Sequence, residues 1–212
     1  MRKRIEAIAH GERFNTLSHL VAIFFAACGV LVLMATAISK QDPVRILSCA
    51  IYGVTTIGIY IISTLYHGSR GEKKDMFRKL DYIGIYLKIA GNYTPYMILA
   101  IGGLKGFTVL ASVWALAAIG ILQEFALRSK HRTISNLIYL SMSALAIPVL
   151  QQLATAVHTW GFALIMLGFL SYAIGFIVWL NDHKIPHGHG IWHLFVIGGS
   201  TCQYLCLWLY VV

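Results

Sequence analysis

Nearly the whole chain is taken up by apolar runs long enough to cross a bilayer. In lipid no water is available to satisfy backbone N–H and C=O groups, so only helices and closed barrels span it. Runs of ~18 or more apolar residues are read as helices, because barrel strands are about half that length and alternate. Seven such runs occur, roughly at 17–38, 44–67, 79–101, 106–127, 133–155, 158–180 and 189–211. Hydrophobic residues are 58% of the chain and charged ones 12%, about half the ~25% typical of water-soluble domains. The expectation is an all-α membrane protein, a single seven-transmembrane helix bundle over 1–212 with short connections.

Charge placement orients the bundle. Arg2, Lys3, Arg4 and Arg13 precede the first run, and Arg70, Lys73, Lys74, Arg78 and Lys79 lie between the second and third. Arg128, Lys130 and Arg132 follow the fourth, and Lys184 the sixth. The other side holds only Lys40, Arg45 and Lys105. Positive loops stay inside, so the N-terminus is expected in the cytoplasm and the C-terminus outside. The net charge of +9 then implies anionic headgroups at the basic loops rather than nucleic acid. Ala35-Thr36-Ala37 resembles a signal cleavage site, but about 20 apolar residues exceed the ~7–15 of a signal h-region, so the first run reads as a retained helix. Cys28, Cys49, Cys202 and Cys206 fall inside the runs and read as packing residues, not a disulfide framework. Pro95 and Pro148 fall inside the third and fifth runs, where each removes a helical hydrogen bond and is expected to kink the helix.

This topology brings polar residues from distant segments to one membrane depth. Ser63 and His67 end the second run on the cytoplasmic side, Asp81 starts the third there, and His189 and His193 start the seventh. Each Ser/His or His/His pair is spaced i, i+4 and so shares a helix face. Ionisable groups inside a membrane are costly and mark function by default. Three histidines around a divalent metal leave one position open, the arrangement of a catalytic rather than a closed zinc site. Asp81 is placed to take a proton and Ser63 to donate to a developing oxyanion. The competing reading makes each histidine an interfacial residue and Asp81 a helix cap.

Glu12, Asn15 and His19 share a helix face at the entry to the first run and read as either outer support for the histidines or a solvated lead-in. His10, His131, His158, His183 and His187 read as interfacial, as does Glu124. Lys88, seven residues past Asp81, either snorkels toward the cytoplasm or lines a cavity.

These motifs resemble a known family. Glu12-x-x-Asn15-x-x-x-His19, Ser63-Thr64-Leu65-Tyr66-His67, Leu80-Asp81-Tyr82 with Ile89-Ala90-Gly91-Asn92-Tyr93-Thr94-Pro95, and His189-Gly190-Ile191-Trp192-His193 look like the bacterial hemolysin III proteins. Those group with the adiponectin and progestin receptors and, more distantly, with alkaline ceramidases. The resemblance covers nearly the whole chain. It implies seven helices with a cytoplasmic N-terminus, and a Zn2+ ion held by His67, His189 and His193, with Asp81 near its water and Ser63 alongside. Gln203 stands where bacterial relatives often have histidine, outside the expected ligand set.

The first functional expectation is a zinc-dependent hydrolase of a lipid amide or ester, ceramidase-like, with membrane lipids as substrate or ligand. A non-catalytic sensor or membrane-homeostasis protein with structural zinc is the alternative. A pore-forming cytolysin, suggested by the family name, is the third; seven apolar helices and no secretion signal speak against it.

Overall fold

The computed structural model describes residues 12–126 and 132–212. Arg2, Lys3, Arg4, His10, Arg128, Lys130 and His131 lie outside the described residues. Within them the chain is helical, without strands: α1 Arg13–Ser39, α2 Pro43–Gly68, α3 Glu72–Pro95, α4 Gly103–Ala126, α5 Thr133–Ala144, α6 Leu150–Ala156, α7 His158–Leu180 and α8 Gly188–Tyr210.

Local chemistry explains where the helices stop. Asp42 caps α2, its carboxylate accepting from the N–H groups of Val44 and Arg45, while Pro43 supplies a φ already set for the first turn. Pro95 ends the regular part of α3, which loosens into a π-helical turn over Tyr96–Ile101 before Gly102 and Gly103 turn the chain at positive φ. Pro148 breaks the fifth run into α5, a 3-10 turn at Ile147–Val149, and α6. The carbonyls of Met142 and Ser143 at this break accept the buried Tyr93 hydroxyl, both at 2.9 Å.

Five segments are long and apolar enough to cross a membrane: α1, α2, α4, Thr133–Ala156 and α7. The expected third and seventh runs, α3 and α8, fall short of that apolarity. The reason lies in their composition, since α3 carries Asp81 and Lys88 and opens on six charged residues between Glu72 and Lys79, and α8 carries His189, His193 and Gln203. The helices whose apolarity is diluted are the ones that bear candidate site residues.

The most extensive packing joins α7 to α8, α2 to α3, and α1 to α2, and α1 also meets α8. The start of α1, the end of α2 and the starts of α3 and α8 therefore gather at one end. Leu33, Cys49, Tyr52, Tyr86, Met97, Val113, Met142 and Leu207 fill the interior with no more than 2% exposure. Phe24, Phe25, Leu31, Val54, Leu104, Leu122 and Trp160 face outward, as a lipid-facing surface requires and a water-facing one does not tolerate in such continuity. The four cysteines are free. Glu124 does not face water as expected: it is buried, holds Arg132 through two 3.1 Å bonds and accepts from Ser135 at 2.9 Å. Arg132 in turn lies 3.3 Å over the Tyr82 ring.

Candidate metal centre

At that end His67, in the last turn of α2, meets His189 and His193 from the first two turns of α8. One ring nitrogen of each lies within 4.8 Å of the others. His67 and His193 are buried and His189 is half-buried. Their geometry is set by a turn: His187 adopts a left-handed conformation at the α8 N-cap, which carries the chain from the α7 end back over Asp182. Gly190 sits between the two ligand candidates, where any Cβ would overlap the Phe14 ring and crowd the Asn15 side chain. This glycine lets α1 approach α8 closely, which brings His19 of α1 against His193.

The outer nitrogens are held by carboxylates. His67 Nδ1 is 2.6 Å from Glu12 Oε2, and His189 Nδ1 is 3.3 Å from Asp182 Oδ2. An ionised carboxylate only accepts, so each imidazole donates through Nδ1 and presents the lone pair of Nε2 inward. This is how a protein fixes the tautomer of a metal-binding histidine. Inward, His67 Nε2 and His193 Nε2 stand 3.1 Å apart. Two ligands each 2.0–2.1 Å from a tetrahedral ion lie about 3.3 Å from one another, so His67 and His193 are spaced as two donors to a zinc-sized cation, with His189 offering a third within 4.8 Å.

Glu12 is the hub of the outer ring. Besides His67 it takes a 3.0 Å bond from Asn15 Nδ2 and a short one from the Lys74 ammonium. Half-burial pushes its carboxyl up, but the bonds from His67, Lys74 and Asn15 outweigh that and hold it down at about 2. His19, one helix face along from Asn15, packs edge-on to His193 with ring centres 4.2 Å apart. Both His19 ring nitrogens are buried without a partner among the described residues.

Asp81 and Ser63 lie beside this cluster. Both are buried, and the Asp81 carboxyl sits next to the Ser63 hydroxyl and in electrostatic range of His67. The expectation that Asp81 stands in the first turn of its helix needs correction. The helix starts at Glu72 with Gly71 as N-cap, so Asp81 is in the third turn and is not a cap.

The structure thus brings together His67, His189, His193, Ser63, Asp81, Glu12, Asn15 and His19. Lys74 and Asp182 were not foreseen. Lys74 is one of several cations in a basic stretch, with nothing in the spacing to single it out. Asp182 reaches His189 only through the left-handed turn at His187.

Comparison with known proteins agrees with these motifs. A family described as "Haemolysin-III related" matches residues 7–204. "Hemolysin-3" of Bacillus cereus is 32% identical over 210 residues, covering 99% of this chain and 95% of that protein. "Hemolysin-3 homolog" of Bacillus subtilis (strain 168) is 34% identical, covering 95% and 94%. The human "Monocyte to macrophage differentiation factor" is 28% identical over 167 residues, 76% of this chain and 69% of that protein. With its motifs, its apolar helices and its near-full-length relatives, the chain belongs to the haemolysin-III related family of multi-pass membrane proteins.

Proposed function

We propose that the protein is a seven-span, zinc-dependent hydrolase of a lipid amide or ester, with α3 and α8 crossing the membrane as well and the N-terminus in the cytoplasm. The charge asymmetry of the loops supports the orientation, and puts the histidine end at the cytoplasmic face beside the anionic headgroups. The observation that carries the hydrolase reading is the buried Asp81–Ser63 pair beside three imidazoles, two of which, His67 and His189, have their outer nitrogens held by other carboxylates. Asp81 is not needed to orient the histidines, so it is free to handle a proton.

His67, His189 and His193 would hold the ion. When bound, zinc supplies Lewis-acid polarisation and brings the ionisation of water close to neutral pH. Asp81 accepts the proton released as a nucleophile attacks the carbonyl and returns it to the leaving amine or alcohol. Ser63, one turn before His67, donates to the oxygen on which negative charge develops. Glu12 and Asp182 keep the imidazoles in one tautomer throughout. The apolar outer face lets an acyl chain remain in lipid while its carbonyl meets the site.

A second reading, a sensor with structural zinc, has one observation in its favour. His19 offers two unused nitrogens beside His193, a fourth donor that would close the coordination. Haemolysis belongs to the name of the Bacillus cereus relative; no feature among the described residues favours a pore here. Lipid extracts of a deletion strain complemented with wild type, Asp81→Asn or His19→Ala separate the first two readings. The hydrolase reading expects Asp81→Asn to keep the metal and leave the deletion strain's lipid profile uncorrected, while His19→Ala corrects it. A profile that never differs between wild type and deletion counts against turnover.

A further inference from the structure

Two turns deeper than the metal centre lies a second cluster of polar groups that the proposed reaction does not use. Helices α2 and α3 run antiparallel in close contact, Ile59 against Gly84 and Thr55 against Gly91. This register sets Ser63 level with Asp81, Thr56 level with Lys88 and Tyr52 level with Asn92. Lys88 is therefore about 10 Å further into the bundle than Asp81, at ~1.5 Å per residue.

Lys88 is only 9% exposed, so it does not snorkel to water. Its Nζ has no hydrogen-bond partner among the described residues, and neither have Thr56 Oγ1 and Asn92 Oδ1 on either side of it. No charged group of the described residues acts on it either. One face of the ammonium is covered by the Tyr52 ring, 4.8 Å from its centre, leaving the N–H donors directed elsewhere. Buried polar groups in native proteins are almost always paired, and an unpaired buried cation is among the most costly exceptions. The two orphans that can donate, the Lys88 ammonium and the Thr56 hydroxyl, lie level in one seam and point to a missing partner that accepts hydrogen bonds and carries negative charge.

We propose that Lys88 and Thr56 form an internal carboxylate-binding site in the α2–α3 seam, separate from the histidine centre. One carboxylate oxygen takes the ammonium N–H groups and the other the Thr56 hydroxyl. Tyr52 backs the cation by a cation–π contact. Asn92 faces a cavity of about 30 Å3 lined also by Tyr96 and Gln203, room for about two waters at ~10–15 Å3 each, whose O–H groups would satisfy its free oxygen. The carboxylate comes either from a small acid or from the head of a lipid acid.

The test is equilibrium binding of radiolabelled acetate and of radiolabelled palmitate to the purified protein in detergent, with no turnover required. Wild type is expected to bind one carboxylate per chain, with Lys88→Met weakening it by about tenfold or more and Thr56→Val by less. His67→Ala should retain it. Binding of acetate identifies a small-acid site, and binding of palmitate alone a lipid-acid site; either supports the proposal. Should Lys88→Met fail to fold, Lys88→Gln carries the same comparison. No binding of either acid to wild type would overturn it, leaving Lys88 as a neutral amine. Binding that survives both Lys88 substitutions, or that is lost in His67→Ala, would overturn it as well.

Discussion

His67 Nε2 and His193 Nε2 face each other at 3.1 Å across the junction of α2 and α8. The residues are 126 positions apart in the chain, and both rings are buried. Two inward nitrogens at this separation, with His189 completing the set, are either a hydrogen-bonded pair or two corners of a metal site. The carboxylates on the outer nitrogens of His67 and His189 favour the second, because they turn two lone pairs toward the cluster and a single N–H on His193 could satisfy only one of them.

Glu12→Gln keeps the size of the side chain and removes its charge. Loss of such a partner typically costs 10–100-fold in metal affinity, and a chelator competition should read a loss in that range while the helix content is unchanged. Lys74→Met, which removes one of the donors to Glu12, should give a smaller loss in the same direction. Asp182→Asn should weaken binding less than Glu12→Gln, because its contact to His189 is longer and a third exposed.

Gly190→Ala places a methyl group against Phe14 and Asn15. Overpacking at a close helix contact costs about 1–3 kcal/mol. Thermal unfolding in detergent should show the variant destabilised, with weakened metal binding because α1 and Glu12 are pushed from α8. Unchanged stability would show that α1 is free to shift.

Acid should release the metal. Imidazole must be neutral to ligate, so protons compete with the ion. Metal adds stability to the folded protein near neutral pH, and that increment is lost as falling pH protonates the ligands. The difference in Tm between loaded and chelated protein should shrink steadily as the pH is lowered. The same difference should be absent at every pH in His193→Ala.

Asp81→Asn and Ser63→Ala should separate holding the ion from using it. Both side chains lie beside the cluster without a place among its three donors, so metal content should stay at the wild-type level. Any lipid hydrolysis should fall by a factor of about 100 or more for Asp81→Asn, the scale of a lost general base. Ser63→Ala should lose about 10–1,000-fold, depending on its share of oxyanion stabilisation.

Much of this arrangement is legible in the sequence because the bilayer imposes a length on every crossing. The apolar runs locate the helices, and the i, i+4 spacing of Ser63/His67 and His189/His193 puts each pair on one face. Glu12, Asn15 and His19 are legible in the same way, through a face shared along α1. Hydropathy misplaces the start of α3, since Glu72 to Lys79 read as a charged loop although they are helical, with Arg78 and Asp75 paired at 3.0 Å one turn apart. Asp182 is hidden because its approach to His189 depends on the backbone at His187. Lys88 shows the limit most plainly: its side chain is long enough to snorkel, and only its packing under Tyr52 shows that it does not.

The central claim is the three-histidine metal centre, and its most direct test is metal content by plasma mass spectrometry. Protein purified without chelators should contain about one zinc per chain, lost in His67→Ala and in His193→Ala while circular dichroism reports an intact helical bundle. Wild-type protein without stoichiometric metal, or variants that keep it, would contradict the account.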